Sequence, residues 1–239
     1  MPIRAVLWDI DDTIFDYASA DRAGMRDHLR AEGLADGYVS VDQALTRWKE
    51  LTLLHWRRFE AGGVGFEEQR RDRVRDFLGV PLTDPEADAW FQRYLRHYEA
   101  AWELFPDTLP ALELLAADYR HAALSNSSVH NQDRKLRVLG VRDRFEALLC
   151  AAELGVAKPD PAAFHAACDA LRLRPAEVAY VGDQPDIDAR GAVEAGLTGI
   201  WLDRAGAGGR PELTRITGLD QLPGLLRGDT RFGAPDSFG

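Results

Sequence analysis

Five short apolar runs that alternate with helical patterns most constrain the fold of this chain. The runs occupy residues 3–8, 121–125, 146–150, 178–182 and 198–202. Helical patterns occupy residues 108–118, 160–172 and 185–195. Strands that alternate with helices form parallel βαβ units, in a sheet whose two faces are covered by helices. The sequence therefore predicts an α/β protein built on a parallel sheet.

A long stretch between the first two apolar runs breaks this alternation. Residues 16–103 contain no convincing strand and carry four amphipathic helical patterns instead. These patterns occupy residues 17–32, 41–60, 66–78 and 86–103. We therefore predict a helical domain at residues 16–103, inserted into a core made of residues 1–15 and 104–239. The tail from about Gly228 is rich in Gly, Asp and Pro, which is typical of a loose terminus.

The composition excludes some classes of function. The chain has 239 residues and a formal net charge of −10, whereas a nucleic-acid partner requires a basic face. The N-terminal apolar run is too short to cross a bilayer, and we see no secretory signal. We therefore expect a cytoplasmic monomer or homodimer that binds neither nucleic acid nor membrane. Cys150 and Cys168 lie in apolar contexts and are predicted to be buried, reduced thiols.

Three carboxylates follow the first apolar run directly. They belong to Asp9, Asp11 and Asp12, and Thr13 closes the cluster. Ligands of open α/β sheets bind at the carboxyl ends of the strands, and clustered carboxylates repel one another unless a cation intervenes. A hard divalent ion with oxygen ligands, such as Mg²⁺, meets this need. The alternative interpretation is a set of acids that caps the start of a helix.

Polar groups also follow the later runs. Ser125, Asn126 and Ser127 end the second run, where a hydroxyl and main-chain N–H groups could bind phosphate oxygens. Lys158 precedes a Pro-Asp-Pro turn, and its ammonium could neutralise a phosphoryl group together with an attacking carboxylate. The alternatives are a helix cap for the first group and an ordinary surface lysine for the second.

A second group of acids follows the fourth run. Asp183 comes directly after Gly182, and Asp186 and Asp188 follow it. These acids could complete a metal site with Asp9, although capping of the next helix is an alternative. The combination is more informative than any single motif, because all four groups are expected at the same rim of one sheet.

The order of these motifs resembles the haloacid dehalogenase superfamily. The matching features are Asp-x-Asp-x-Thr at 9–13, a strand that ends in Ser125, the Lys158-Pro159 pair, and Gly-Asp with a further Asp at 182–188. The resemblance covers nearly the whole chain. It implies a Rossmann-like core with the first strand in a central position, and a helical cap domain at residues 16–103.

The resemblance also implies a role for each matching residue. Asp9 resembles the nucleophile, which forms an aspartyl-phosphate, and Asp11 resembles the general acid and base. Thr13 and Ser125 are expected to bind and orient the substrate. Asn126 belongs to the same phosphate-binding group, and Lys158 is expected to neutralise charge.

The cofactor implied by the resemblance is Mg²⁺. Its expected ligands are the carboxylates of Asp9 and Asp183 and the main-chain carbonyl of Asp11, with Asp188 as a supporting acid. Two positions depart from the common family pattern: Asp12 stands where many relatives carry Gly, and Ile187 stands where relatives often carry Asn. Asp186 is an alternative to Asp188.

The predicted cap offers two sets of candidate substrate contacts. The first consists of aromatic and polar residues of its second helix, namely Trp48, Leu51, Thr52, His55, Trp56 and Phe59. Packing between helices is the preferred interpretation of that set. The second consists of Arg70, Arg71, Arg73 and Arg75, for which a solvated basic face is preferred. Gly206, Gly208 and Gly209 lack the helix context of a nucleotide loop and are interpreted as a connector.

The sequence thus predicts a Mg²⁺-dependent phosphatase of a small phosphomonoester. The segment that begins the cap is similar to nucleotidase-like members, which makes a nucleoside 5′-monophosphate a candidate substrate beside sugar phosphates. A phosphomutase or a 2-haloacid dehalogenase is an alternative on the same fold, although a dehalogenase needs no acid at Asp11. A phosphoacceptor protein or a non-catalytic binding protein is an alternative of another class.

Overall fold

The computed structural model of the protein describes residues 2–34 and 37–228. The chain forms two compact units: a core unit of residues 1–15 and 104–239, and a helical unit of residues 16–103. Most of the tail that we predicted to be loose, residues 229–239, lies outside the described residues.

The core unit is built on a six-stranded sheet. Its strands are β1 (Ala5–Trp8), β2 (Arg120–Ser125), β3 (Ala147–Cys150), β4 (Val178–Gly182), β5 (Thr198–Leu202) and β6 (Thr214–Ile216). All neighbouring strands run parallel, in the order β3-β2-β1-β4-β5-β6. The predicted α/β class with a parallel, Rossmann-like sheet and a central first strand is therefore confirmed.

The central strands are apolar throughout because both of their faces are buried. All four residues of β1 are buried, as are all five of β4. Leu7 of β1 packs in one core cluster with Leu124, Phe164 and Tyr180. By contrast, β6 was not predicted, since it has three residues and only Ile216 is buried.

Among the described residues of the core unit, five helices lie between the strands in the chain, and a sixth follows the last strand. They are α5 (Thr108–Leu115), α6 (Val129–Val138), α7 (Ala151–Leu154), α8 (Pro161–Leu171), α9 (Gly191–Glu194) and α10 (Leu222–Arg227). The Asp-Pro signal was interpreted correctly, because the Asp160 side chain caps α8 by accepting from Ala162 N. A π-helical segment, Pro185–Arg190, leads into α9. The sequence analysis did not predict α6, whose sequence VHNQDRKLRV is strongly polar.

The helical unit contains four long helices. They are α1 (Tyr17–Ala31), α2 (Val41–Glu60), α3 (Phe66–Leu78) and α4 (Asp84–Ala100). Their bounds lie within three residues of the predicted patterns, since long amphipathic periods and caps such as Ser40 are strong local signals. No helix in the described part of the chain is both long enough and apolar enough to span a membrane.

Candidate functional site

The carboxyl ends of three adjacent strands bring the predicted motifs together. β1 lies between β2 and β4, and Asp9 extends β1 by donating its main-chain N–H to Val181 O at 2.9 Å. Ser125 is the last residue of β2, and Asp183 directly follows β4. Parallel strands end at the same edge of a sheet, so residues far apart in the sequence meet here.

A buried ammonium group lies at the centre of the site. Lys158 is 3% exposed, and its Nζ donates to Asp9 Oδ1 at 2.7 Å and to Asp188 Oδ1 at 2.7 Å. Burial by itself would lower the pKa of Lys158, but the carboxylates of Asp188 and Asp9 raise it above its ordinary value. The lysine is therefore held as a cation between two acids.

Three acids lie close together at this lysine, and one ammonium group cannot balance the charge of three carboxylates. Single carboxylate oxygens of Asp9, Asp183 and Asp188 lie within 4.8 Å of one another. Burial raises the pKa of Asp9, against the opposing effect of Lys158, and burial and the neighbouring acids raise the pKa of Asp183. Asp183 Oδ1 is buried and accepts no hydrogen bond from the residues that the structure describes. A hard divalent cation fits this set of oxygen donors, because it would satisfy the orphaned oxygen and relieve the repulsion.

Asp9 and Asp11 lie in different local networks. The hydroxyl of Thr13 donates to Asp9 Oδ2 at 3.0 Å, so both oxygens of Asp9 are fixed. The carboxylate of Asp11 is not part of the acid cluster: it forms an ion pair with Lys135 and accepts a hydrogen bond from Gln132 at 2.6 Å. A role for Asp11 as a metal ligand through its main-chain carbonyl stays a prediction.

Ser125 and Asn126 have different surroundings although they are adjacent. The buried Ser125 hydroxyl accepts a hydrogen bond from Gln132 Nε2 at 3.0 Å. The side-chain amide of Asn126 instead binds the main chain of Lys158 twice, from Nδ2 to the carbonyl at 2.9 Å and from the N–H to Oδ1 at 2.8 Å. This side chain supports the loop that carries Lys158, and its predicted contact with substrate is untested.

The two candidate supporting acids are clearly distinguished. Asp188 is buried in the cluster, and its Oδ2 accepts from Gln184 N at 3.0 Å. Asp186 is 51% exposed at its side chain and forms ion pairs with Arg190 at 2.9 Å and Arg210 at 2.6 Å. The geometry therefore favours Asp188 over Asp186.

Backbone geometry explains two further positions of the motifs. A Cβ atom on Gly182 would lie 2.4 Å from Asp188 Oδ2, so only glycine leaves room for that carboxylate. Asp12 has a φ of 61°, in the left-handed region where Gly is favoured and Asp is tolerated better than most residues. Asp12 is therefore a conformational substitute for the Gly that the motif often carries.

Comparison with known proteins agrees with this arrangement. The family model of the haloacid dehalogenase-like hydrolases matches residues 3–196. The chain belongs to this family. A phosphoserine phosphatase of Thermus thermophilus is 31% identical over 96% of this chain and 97% of its own length.

Two other relatives extend the comparison. A glyceraldehyde 3-phosphate phosphatase of Methanopyrus kandleri is 27% identical over 84% of each chain. The magnesium-bound structure of the putative HAD-hydrolase YfnB from Bacillus subtilis superposes with a TM-score of 0.79, at 22% identity, over 95% of this chain and 99% of that one. The predicted enzyme class, a phosphoric monoester hydrolase of the haloacid dehalogenase-like family, is confirmed.

Three residues of this haloacid dehalogenase-like site were missed by the sequence analysis. The Tyr180 hydroxyl accepts from Lys158 Nζ at 2.6 Å and lies 3.1 Å from Asp188 Oδ1. Gln132 and Lys135 both contact the carboxylate of Asp11. Tyr180 lies in β4, an apolar strand whose side chains are all expected to pack in the core. The other two lie on helix α6, which was not predicted, and they were missed because Gln and Lys are residue types that are mostly exposed.

The candidate contacts on the second helix of the predicted cap form packing interactions. Trp48 is fully buried and its ring centroid lies 5.3 Å from that of Phe77 and 5.1 Å from that of Tyr94. Trp56 and Phe59 pack on each other with centroids 5.7 Å apart. The structure supports the preferred interpretation of a packed helix–helix core.

The four arginines of α3 divide into two pairs. Arg71 and Arg75 are partly exposed and form ion pairs with Asp84, as a solvated basic face predicts. Arg73 is buried and donates to Thr52 Oγ1 at 3.0 Å, and the guanidinium groups of Arg70 and Arg73 lie 5.0 and 5.1 Å from the Phe91 ring centroid. The interpretation as a solvated face is therefore wrong for Arg73, whereas Arg70 is half-buried and also pairs with the exposed Glu67.

The two smaller sequence predictions have clear outcomes. Cys150 and Cys168 are buried free thiols, as predicted. The glycine-rich connector is organised by the buried Asp203, which accepts from Ala207 N at 3.0 Å and Gly208 N at 2.8 Å.

Proposed function

We propose that this hydrolase removes phosphate from a small metabolite through an aspartyl-phosphate intermediate on Asp9. One observation carries the proposal: the Asp9 carboxylate is fixed by Lys158 and Thr13, directly beside the acids Asp183 and Asp188. A carboxylate is a weak nucleophile toward an anionic phosphate, so the site must cancel charge repulsion. A carboxylate that is held beside an ammonium group and two further acids, which can bind a cation, meets this requirement.

In the first step an oxygen of Asp9 forms a bond to phosphorus while the bond to the leaving oxygen breaks. Asp11 in its protonated form donates a proton to that oxygen, and the products are an alcohol and the Asp11 carboxylate, which is the form that pairs with Lys135. The Lys158 ammonium offsets the charge on the transferring phosphoryl group, and the Ser125 hydroxyl binds one of its oxygens. Thr13 keeps the Asp9 carboxylate oriented for attack.

In the second step water attacks phosphorus and Asp11 accepts the proton of that water. Inorganic phosphate leaves and the Asp9 carboxylate is regenerated, so one acid serves both displacements. Mg²⁺, held by Asp9, Asp183 and the Asp11 carbonyl with support from Asp188, would supply positive charge that stabilises the equatorial oxygens. Lys158 orders the carboxylates of Asp9 and Asp188 through its own hydrogen bonds, without the metal ion.

The substrate is proposed to be a small phosphomonoester. Relatives that are named a phosphoserine phosphatase and a glyceraldehyde 3-phosphate phosphatase support this class. Nucleoside 5′-monophosphates and sugar phosphates complete the set of candidates. We further propose that residues 16–103 act as the cap domain that selects the leaving group.

The decisive experiment compares Asp9→Asn with Asp186→Asn in a phosphate-release assay on a panel of phosphorylated metabolites with Mg²⁺. Asp9→Asn should lower kcat by about 10⁴-fold or more, because a carboxamide cannot form the acyl phosphate. Asp186→Asn removes an equal charge from an exposed position and should leave kcat unchanged.

Three outcomes would contradict the proposal. Turnover by Asp9→Asn above background would reject the nucleophile. Transfer of phosphate to a second sugar position without phosphate release would indicate a mutase. Halide release from 2-haloacids in place of phosphate release would indicate a dehalogenase.

A further inference from the structure

Helix α6 presents two side chains to the carboxylate of Asp11. Gln132 and Lys135 are three residues apart, so they lie on one face of the helix. Both are buried, and the Lys135 side chain is only 6% exposed. The Lys135 ammonium pairs with Asp11 Oδ1 and lies 4.2 Å from the centroid of the Phe15 ring. Long polar side chains are seldom buried unless they are paired. The contacts with Asp11 therefore explain why Gln132 and Lys135 are buried.

These two residues occupy both oxygens of Asp11. Lys135 binds Oδ1, and Gln132 Nε2 donates to Oδ2 at 2.6 Å. Asp11 lies beyond the end of β1, beside the left-handed Asp12, and its side chain is 31% exposed. Because Asp11 lies outside β1, the strand does not determine the direction in which the Asp11 carboxylate points. The direction of this carboxylate is therefore set from α6.

Gln132 also links Asp11 to the phosphate-binding end of β2. The same Nε2 that binds Asp11 donates to Ser125 Oγ at 3.0 Å. One amide nitrogen has two hydrogens, so it can serve both acceptors at once. This bridge fixes the distance between the group that transfers protons and the hydroxyl assigned to phosphate.

We propose that Gln132 and Lys135 are positioning residues that hold Asp11 in register with Ser125 for proton transfer to the leaving group. This inference rests on the proposed function, in which Asp11 is the general acid and base. A purely structural role would be an ion pair that only fastens α6 to the sheet. The two roles differ in how the effect of a substitution depends on the leaving group.

The experiment measures kcat/KM of Lys135→Met and Gln132→Leu with two substrates, an alkyl phosphate and p-nitrophenyl phosphate. An alkoxide needs a proton as it leaves, whereas p-nitrophenolate needs little assistance. Misplacement of the acid should therefore lower kcat/KM about 30-fold for the alkyl phosphate and less than about 3-fold for the aryl phosphate. Loss of structure alone would lower both values equally.

A double-mutant cycle provides the second readout. In the Asp11→Asn background, Lys135→Met and Gln132→Leu should cause almost no further loss with the alkyl phosphate, because their effect acts through Asp11. Arg137→Met is the matched control, since it removes an exposed cation from the same helix. It should leave both substrates unaffected.

The outcomes separate this inference from the proposed function. Equal losses for both substrates, or losses that multiply with that of Asp11→Asn, would overturn the positioning role. If circular dichroism shows that Lys135→Met is unfolded, Gln132→Leu, which changes no charge, decides the test alone. Absence of phosphate release by the wild-type enzyme would instead reject the proposed function.

Discussion

At the scale of single residues, the site depends on a few side chains that hold charged groups in place. The Tyr180 hydroxyl contacts Lys158 Nζ and Asp188 Oδ1 and also lies 3.2 Å from Leu124 O. It sits where a strand residue normally only packs, and burial with nearby Asp188 and Asp9 raises its pKa well above its ordinary value. The hydroxyl therefore stays neutral and supports the lysine.

Replacement of Tyr180 by Phe should lower kcat about tenfold, because Lys158 loses one of its three partners and its position relaxes. The free energy of unfolding should fall by about 1 to 3 kcal/mol, since a buried polar partner is removed. Both quantities are measured by steady-state kinetics and urea unfolding.

Tyr38→Phe is the control for this substitution. The Tyr38 hydroxyl also makes a hydrogen bond, to Phe77 O at 3.2 Å, but both residues belong to the helical unit, whereas Lys158 and Asp188 belong to the core unit. Its loss should affect stability alone. A normal kcat for Tyr180→Phe would contradict the supporting role of the hydroxyl.

At the scale of elements, one close approach organises the helical unit. A Cβ on Gly24 of α1 would lie 2.5 Å from the Cα of Tyr98 in α4, which is closer than carbon atoms can approach. The atom that this Cβ would meet belongs to the main chain of Tyr98, so rotation of a side chain cannot relieve the clash. The two helices can pack at this distance only because residue 24 is glycine.

Gly24→Ala should therefore destabilise the protein by about 3 kcal/mol, as overpacking against a rigid neighbour does. The alanine has better helix propensity than glycine, so local preference predicts the opposite sign. Urea unfolding distinguishes these predictions.

Gly65→Ala is the matched control. Gly65 has a negative φ of −74° and nothing within 4 Å of its added Cβ. We expect its free energy of unfolding to change by less than about 1 kcal/mol. Equal effects of the two substitutions would show that the α1–α4 approach is not limiting.

At the scale of the whole molecule, the net charge of −10 conflicts with an anionic substrate unless the site reverses the field locally. The clustered acids make this repulsion strongest at the site, because single carboxylate oxygens of Asp9, Asp183 and Asp188 lie within 4.8 Å of one another. Repulsion among them destabilises the folded state. A bound divalent cation should consequently stabilise the entire fold.

Addition of Mg²⁺ to chelator-treated protein should raise Tm by about 5 to 10 °C. Binding at one hundred times Kd contributes about 2.7 kcal/mol, and each kcal/mol shifts Tm by about 2 to 4 °C at this size. The shift is measured by calorimetry without any substrate, and turnover should stop in EDTA and return with Mg²⁺.

Asp183→Asn should abolish the Mg²⁺-dependent rise in Tm, whereas Asp186→Asn should retain it. These variants carry the same change of charge at a half-buried and an exposed acid. An undiminished rise in Asp183→Asn, or full turnover in EDTA, would reject the proposed metal site.

The sequence predicted the fold class because its signals are local. Apolar runs such as VAYVG in β4, the Asp160-Pro161 helix start and the long periods of α1 to α4 depend only on neighbouring residues. Motif order then located Asp9, Lys158 and Asp183 at one rim. Weak local signals failed: β6 has three residues, and only three of the ten residues of α6 are apolar.

Only the tertiary structure decided how these groups use one another. A sequence specifies residue types, whereas hydrogen bonds depend on distances across a sheet between residues such as Lys158 and Asp9, 149 positions apart. For this reason Tyr180 was indistinguishable from core, and the hydrogen bonds of Asn126 to the main chain of Lys158 could not be predicted. The pairing of Lys135 with Asp11 likewise arises because α6 follows β2, the neighbour of β1, and places both groups at one sheet edge.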